Sequence, residues 1–234
     1  MAQHGKLYLK RKDMVDHAKR YTMEEAIQLI KSMPETKFDE TVDLAMRLGV
    51  NPKHSEQMVR GSVVLPEGTG KAVRVLVFTK SEKEREAKES GADYIGLDDL
   101  IEKIQAGWFE FDRVLATPDV MSKVAKLGKT LGTKGLMPSP KMGTVTFEIG
   151  QAVKDAKKGQ VTFRVDKVGN LHIPVGKRSF NADALMNNLT SILDTVVRLK
   201  PPTAKGMYLK TVSLSLTMGP GIKIDPQNIM AHLK

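Results

Sequence analysis

The hydrophobic pattern of the chain keeps two different rhythms. In "KFDETVDLAMRLGV" (37–50) one parity carries Phe38, Glu40, Val42, Leu44, Met46 and Leu48. The other carries Asp39, Thr41, Asp43 and Arg47, so the stretch predicts a long half-buried strand. Before it, "YTMEEAIQLIKSMP" places Thr22 and Glu25 at capping-box spacing. Ala26, Ile27, Ile30 and Met33 then form an apolar stripe that Pro34 ends, as in a helix. "RGSVVLPEGTGK" predicts a further strand running into a Pro-Glu-Gly-Thr-Gly linker.

The rhythm then changes. "AVRVLVF" (72–78) is a near-continuous apolar run, suited to a strand buried on both faces. A polar helix over "SEKEREAKESGA", a short strand "DYIG" and a helix "LDDLIEKIQAG" capped by Asp98 follow. Next come a strand "DRVLATP", whose Thr117-Pro118 suits an N-cap and first turn, and one helix over "DVMSKVAKLGKTLG". Repeated strand–helix alternation is the pattern of a parallel α/β layer.

From "GTVTFEIG" (143–150) onward the earlier pattern returns, with "AVKDAKKG" as a short helix with a basic end. "GQVTFRVDKVGNLHIPVGK" predicts a hairpin turning near Val168-Gly169-Asn170. "NADALMNNLTSILDTVVRLK" is an amphipathic helix with Ala182, Leu185, Leu189, Ile192, Val196 and Leu199 on its stripe, stopped by Pro201-Pro202. The last strand, in "KTVSLSLTMGPGIKID" (210–225), puts Val212, Leu214, Leu216 and Met218 on one face and Thr211, Ser213, Ser215 and Thr217 on the other. It ends abruptly at Gly219-Pro220-Gly221. Neither outer segment is large enough for a comfortable core by itself. The economical fold is therefore α/β (α+β) in two domains: a discontinuous one with an antiparallel sheet, residues 1–67 and 159–234, and a parallel α/β domain inserted at 68–158.

Charge directs the search for a partner. The 234 residues hold 37 Lys and Arg against 27 Asp and Glu, a net charge of +10, which favours a polyanion. The lysines are dispersed through folded segments, and no basic amphipathic helix with bulky anchors stands out, so nucleic acid is preferred and no membrane partner is expected. The apolar runs are short and interrupted by charge, and "MAQHGKLYLKRKDM" lacks the apolar stretch of a secretory signal. The absence of cysteine excludes disulfides and thiol chemistry.

Motifs for catalysis are weak. "EGTGKAV" ends like a phosphate-binding loop but lacks the upstream glycine, has Ala72 where Ser or Thr would hold magnesium, and precedes a strand instead of a helix. No G-x-G-x-x-G follows the first parallel strand. The five histidines are scattered, none at i, i+4 with another. No catalytic residue, metal or cofactor is expected. The alternative is a nucleotide- or phosphosugar-using enzyme on the inserted domain.

Two stretches suit RNA. "KLGKTLGTKGLMPSPKMGT" (126–144) interleaves Lys126, Lys129, Lys134 and Lys141 with Gly128, Gly132, Gly135 and Gly143. It reads either as a basic surface loop or as one that brings backbone N–H groups to a phosphate. The hydroxyl face of the last strand is either an ordinary solvent face or a surface that a folded RNA backbone can approach closely. Aromatic residues for base stacking are lacking there apart from Phe38.

Together "KFDETVDLAMRLGVNPKHSEQMVRGSVVLPEGTGK", "GLMPSPKMGTV", "GQVTFRVDKVGNLHIPVGK" and "SLTMGPGIKID" make the chain resemble the family of large-ribosomal-subunit protein one, the protein of the mobile ribosomal stalk, in its bacterial form. One departure is Gly132-Thr133-Lys134, where the family commonly has Gly-Pro-Arg; the charge stays, while the guanidinium fork and rigid proline do not. The resemblance implies a split RNA-binding domain and a Rossmann-like insert. It implies binding to the stalk of large-subunit rRNA in the cytoplasmic ribosome, near where deacylated tRNA leaves. It also implies repression of the protein's own operon mRNA through a similar RNA fold, and a monomer when free. The matching RNA-binding positions are Lys37, Phe38 and Thr41 on the first strand, Lys167 and His172 on the hairpin, and Ser213, Thr217, Met218 and Gly219 on the last strand.

Overall fold

The structure is a computed structural model that describes residues 5–232, the side chains of residues 81 and 82 excepted. In chain order its elements are α1 (Lys6–Asp13), α2 (Met23–Ser32), β1 (Thr41–Leu48), β2 (Arg60–Val64), β3 (Val75–Phe78), α3 (Ser81–Glu89), β4 (Tyr94–Gly96), α4 (Asp98–Gln105), β5 (Arg113–Ala116), α5 (Met121–Val124), α6 (Gly128–Thr133), α7 (Ile149–Lys158), β6 (Gln160–Arg164), β7 (Asn170–Lys177), α8 (Ala182–Arg198), β8 (Leu209–Leu216), β9 (Ile222–Ile224) and α9 (Pro226–His232). The chain separates into two compact units. One takes the chain up to Gly70 and again from Val161, and the other takes Lys71–Gln160.

The discontinuous unit is built on an antiparallel sheet of order β7-β1-β8-β9. Strict alternation puts Val42, Leu44, Met46 and Leu48 of β1 and Val212, Leu214 and Leu216 of β8 on one face. There they meet Ile27 and Ile30 of α2, Leu185, Leu189, Ile192 and Val196 of α8, and Ile229 of α9 in a single apolar core. The α2 capping box closes as its spacing predicts: Thr22 Oγ1 accepts from the Glu25 N–H (3.2 Å) and Glu25 Oε2 from the Thr22 N–H (3.0 Å). Pro174 opposes Asp43 on β7, an edge strand, where a residue without an N–H is tolerated.

The continuous unit carries a parallel sheet of order β4-β3-β5. Every residue of central β3 is buried, as a strand covered on both faces requires. Leu76 and Phe78 pack toward α4 through Leu100, Ile101 and Ile104, and toward Val124, Leu127 and Leu131. Val75 and Val77 pack on the other face with Ala87 of α3 and Val153 and Ala156 of α7. The fold is thus a two-part α/β fold with one antiparallel and one parallel sheet.

Several local expectations are corrected. The stretch 160–177 is not a hairpin: β6 pairs with β2, and β7 pairs with β1. The turn between them exists, but it is built by Asp166. Asp166 Oδ1 accepts from the N–H groups of Val168 (2.9 Å) and Asn170 (2.7 Å), with Gly169 at φ 94°. Alternation revealed both strands, since each buries one face in the shared core, but it carries no information about which partner each takes.

Asp98 is not an N-cap; Leu97 occupies that position, and the Asp98 carboxylate instead accepts from Lys123 at 2.8 Å. The helix expected over "DVMSKVAKLGKTLG" is divided into α5, a 3-10 turn and α6. Ala182 on the α8 stripe is exposed. The first strand is shorter than its alternation suggests: β1 starts at Thr41, and Phe38 lies outside it, exposed.

Candidate nucleic-acid interface

One end of the antiparallel sheet gathers most of the sequence-selected residues. Thr41 opens β1, and Thr217-Met218-Gly219 follows directly on β8. The Thr217 N–H donates to Thr41 O (3.1 Å), and the Thr41 N–H donates to Thr217 Oγ1 (3.1 Å). The Gly219 N–H closes the turn on Leu216 O at 3.0 Å, and a Cβ on Gly219 would lie 3.1 Å from Leu216 Cβ. Phe38 and Met218 are among the most exposed large apolar residues, at 52% and 56%. Two bulky side chains left in water beside the same strand end are suited to packing on a sugar or base face.

The loop that carries Lys37 and Phe38 is held from below. The Arg11 side chain, fully buried, forms a two-pronged ion pair with fully buried Glu40: Nη1 to Oε1 at 2.8 Å and Nη2 to Oε2 at 2.6 Å. Arg11 also donates to Pro34 O from Nε at 3.1 Å. Arg178 donates to the carbonyls of Lys31, Met33 and Pro34, and its own N–H bonds Glu40 O (2.8 Å). Glu40 Oε1 in turn accepts from the Met218 N–H at 3.0 Å. Burial by itself raises the Glu40 pKa; the Arg11 hydrogen bonds, the Met218 N–H and the Arg11 charge outweigh it and hold the carboxyl below its ordinary value.

Beside this loop lies a cleft of about 510 Å³, lined in part by Lys31, Lys37, Phe38, Asp39, Arg178 and Ser179. Ser179 Oγ donates to Asp39 Oδ2 (2.8 Å), and Lys177 Nζ donates to Asp39 O (3.1 Å) and Thr41 Oγ1 (3.3 Å). Burial first, and the nearby Arg178 charge second, lower the Lys31 pKa.

The open face of the sheet is organised by register. His172, Ala45, Ser213 and Lys223 form one row across four strands, with Asp43 and Ser215 toward one end and Arg47 and Thr211 toward the other. The hydroxyls of β8 therefore belong to a face that carries charges of both signs from neighbouring strands, which the β8 sequence does not show. His172 and Ser213 sit in the middle of this face. Lys167 is separated from the Thr217 end: its loop meets the far end of β1, where Leu48 N–H bonds Gly169 O (2.9 Å). Seven residue steps from Thr41 to Leu48 at about 3.4 Å each put the two ends roughly 24 Å apart.

Three residues of this end are not evident in the sequence, each for a different reason. Glu40 left a signal, as the one charge on the apolar parity of its strand pattern. Arg11 left none, because it stands in "KLYLKRKD", which reads as a solvated basic run. Lys177 is placed against Thr41 by the β1–β7 register alone.

In the continuous unit, the basic glycine-containing stretch is partly ordered as α6. Gly135 (φ 70°) and Gly143 (φ 68°) make left-handed turns, and Lys134 Nζ lies 4.1 Å above the Phe109 ring. Among the described residues no group of three or more His, Asp or Glu is placed to hold a metal ion, and no helix is long and apolar enough to cross a membrane.

The model of a family of ribosomal, RNA-binding structural proteins matches residues 29–220. That match takes in β1 to β8, the Lys37–Thr41 segment and the Thr217-Met218-Gly219 turn, and the chain belongs to the Ribosomal protein L1p/L10e family.

Proposed function

We propose that this protein binds the folded stalk of large-subunit rRNA through the end of the antiparallel sheet formed by Lys37, Phe38, Thr41, Thr217, Met218 and Gly219. His172 and Ser213 extend the contact over the open face, and Lys167 touches RNA only if the bound element reaches the far end of the sheet. At the ribosome the protein assists the release of deacylated tRNA from the exit site. Off the ribosome, as a monomer, it represses translation by binding a similar fold in its own operon mRNA.

The observation that carries this reading is the pairing of two segments far apart in sequence into one strand end. It exposes Phe38, Met218 and the Thr217 edge together, with Lys37 and Lys177 as the adjacent cations. Close approach by a sugar-phosphate backbone needs small polar side chains and a glycine, with charge at the margin. A titration of the full chain against a stalk rRNA fragment and against the leader of its own mRNA tests it. Saturable binding of both, with protection of one folded element in a footprint, supports the reading. Nucleotide binding without RNA binding would overturn it in favour of an enzyme.

A further inference from the structure

We propose that the buried Arg11–Glu40 pair is a positioning device for the RNA-binding end of the sheet, in which one carboxylate sets the Lys37–Thr41 segment and the Thr217–Gly219 turn against each other. The inference rests on the assignment of that end to RNA.

Three observations carry it. The first is connectivity. Glu40 is the only residue of its segment whose side chain reaches across to the other: Oε1 accepts from the Met218 N–H (3.0 Å) while the same carboxylate takes both prongs of Arg11. The exposed side chains of Phe38 and Met218 are thus attached to backbone that a buried carboxylate ties together from inside, while the Thr41–Thr217 bonds join the same segments at the exposed edge.

The second is the cost of the arrangement. An ion pair with both side chains at 0% exposure gives up the hydration of two charges, and such pairs can commonly be replaced by apolar residues without loss of stability. Stability alone is a poor reason for it. A carboxylate is needed where two guanidinium nitrogens and a backbone N–H converge, because it offers about four acceptor sites in one plane.

The third is origin. Arg11 comes from α1, outside the 29–220 stretch that the family model matches, and its remaining hydrogen bonds go to Pro34 O in the loop that leads to Lys37 and Phe38. Helix α1 thereby acts on a surface that it does not itself line. Arg11 and Glu40 are positioning residues: both are buried, and neither touches RNA.

The test compares two charge-free replacements in the full chain. R11M/E40M removes the pair and leaves the Met218 N–H without its acceptor. R11M/E40Q removes both charges but keeps a carbonyl oxygen that can accept from Met218. Each is titrated with the stalk rRNA fragment, melted, and examined for the Met218 amide proton shift and its exchange protection.

The expected result is a thermal midpoint close to the parent for both variants. R11M/E40M binds RNA about ten- to hundredfold more weakly, as for a lost hydrogen bond to a charged group. R11M/E40Q recovers most of that loss, together with Met218 amide protection. Equal RNA affinity for R11M/E40M and the parent overturns the proposal. So does equal loss in both variants, which would assign the effect to general packing.

Should either double variant unfold at the assay temperature, both are compared at a lower temperature where they are folded, with the same readouts and the same overturning results. M218A serves as the reference for the site. If it weakens binding while R11M/E40M does not, only the positioning role fails. If neither M218A nor F38A changes affinity, the RNA assignment fails and the inference with it.

Discussion

Thr41 and Thr217, 176 residues apart, are joined by three hydrogen bonds: the Thr217 N–H donates to Thr41 O and the Thr41 N–H to Thr217 Oγ1, both at 3.1 Å, and the Thr217 hydroxyl donates to Thr41 O at 3.4 Å. The Thr217 hydroxyl therefore already serves the protein before any RNA arrives. It extends the β1–β8 ladder by two side-chain bonds and orients the turn that follows.

The consequence for mutagenesis is a separation of stability from binding. T217S keeps the acceptor, and RNA affinity stays within about threefold of the parent. T217V keeps the shape but leaves the Thr41 N–H to water, which this exposed edge permits at a cost under about 1 kcal/mol. RNA affinity of T217V falls by about tenfold, because the hydroxyl and the turn it orients are both changed. Parallel melts and RNA titrations check this; a T217V chain that binds as tightly as the parent would confine the hydroxyl to a structural role.

The Arg11–Glu40 pair gives a pH dependence whose size Arg11 sets. With Arg11 present the Glu40 pKa lies below its ordinary value of 4.5. Its contribution to folding is complete above that value and is lost as pH falls from 4.5 through the depressed folded pKa. In R11M the Arg11 hydrogen bonds and charge are gone while burial, the largest cause and the one that raises the pKa, remains beside the Met218 N–H and the Thr36 hydroxyl, so the folded pKa moves up from its depressed position. The stability that Glu40 gives up as pH falls is then smaller. Denaturant midpoints against pH, each taken relative to the matching chain with E40Q, should slope upward with pH in the parent and clearly less so in R11M. The same slope in both would show that Arg11 does not set the protonation of Glu40.

Few cations at this end are free to neutralise phosphate, which limits the salt dependence. Lys31, whose charge burial disfavours, and Arg178, which donates to three carbonyls, are committed to the protein; Lys177 gives two of its three donors to Asp39 O and Thr41 Oγ1, so Lys37 and the remaining donor of Lys177 are left for phosphate. At about −0.9 per neutralised phosphate, log K against log salt should have a slope of roughly −2. K177M should reduce its magnitude by about one unit. A slope several units steeper in the parent would move the main contact to the lysines of residues 126–144.

The sequence displayed the parts of this fold more fully than their partnerships. Periodicity located both sheets, because a core face repeats every two residues in β1, β7 and β8 and a doubly covered strand such as β3 shows no alternation. It could not assign β6 to β2 or β7 to β1, since the choice is made by the Asp166 turn and by packing under α8. The candidate site was legible where it depends on residue type, as in Thr217-Met218-Gly219 after an alternating strand. It was illegible where it depends on convergence. Arg11 is indistinguishable from its solvated neighbours Lys10 and Lys12 until the helix is seen to face Glu40, and Lys177 gains its place only from the register with Thr41.

Asn188 supplies a test at the base of the linker. It is fully buried on α8, with Nδ2 donating to Val175 O (2.8 Å) and Gly68 O (3.0 Å) and Oδ1 accepting from the Glu67 N–H (3.0 Å). One side chain thus fastens the first half of the Pro66–Gly70 linker to the strand that carries Val175. N188L fits the helix and the core volume but leaves those three backbone groups without their partner. At about 1–3 kcal/mol for each group that water does not reach, a loss of roughly 2–3 kcal/mol is expected, since Glu67 and Gly68 lie near the surface. Urea denaturation measures the loss, and limited proteolysis with mass mapping should show new cleavage within residues 66–70 before either unit is cut. An unchanged midpoint together with an unchanged cleavage pattern would mean that the linker is held by the packing around Gly70 and not by Asn188.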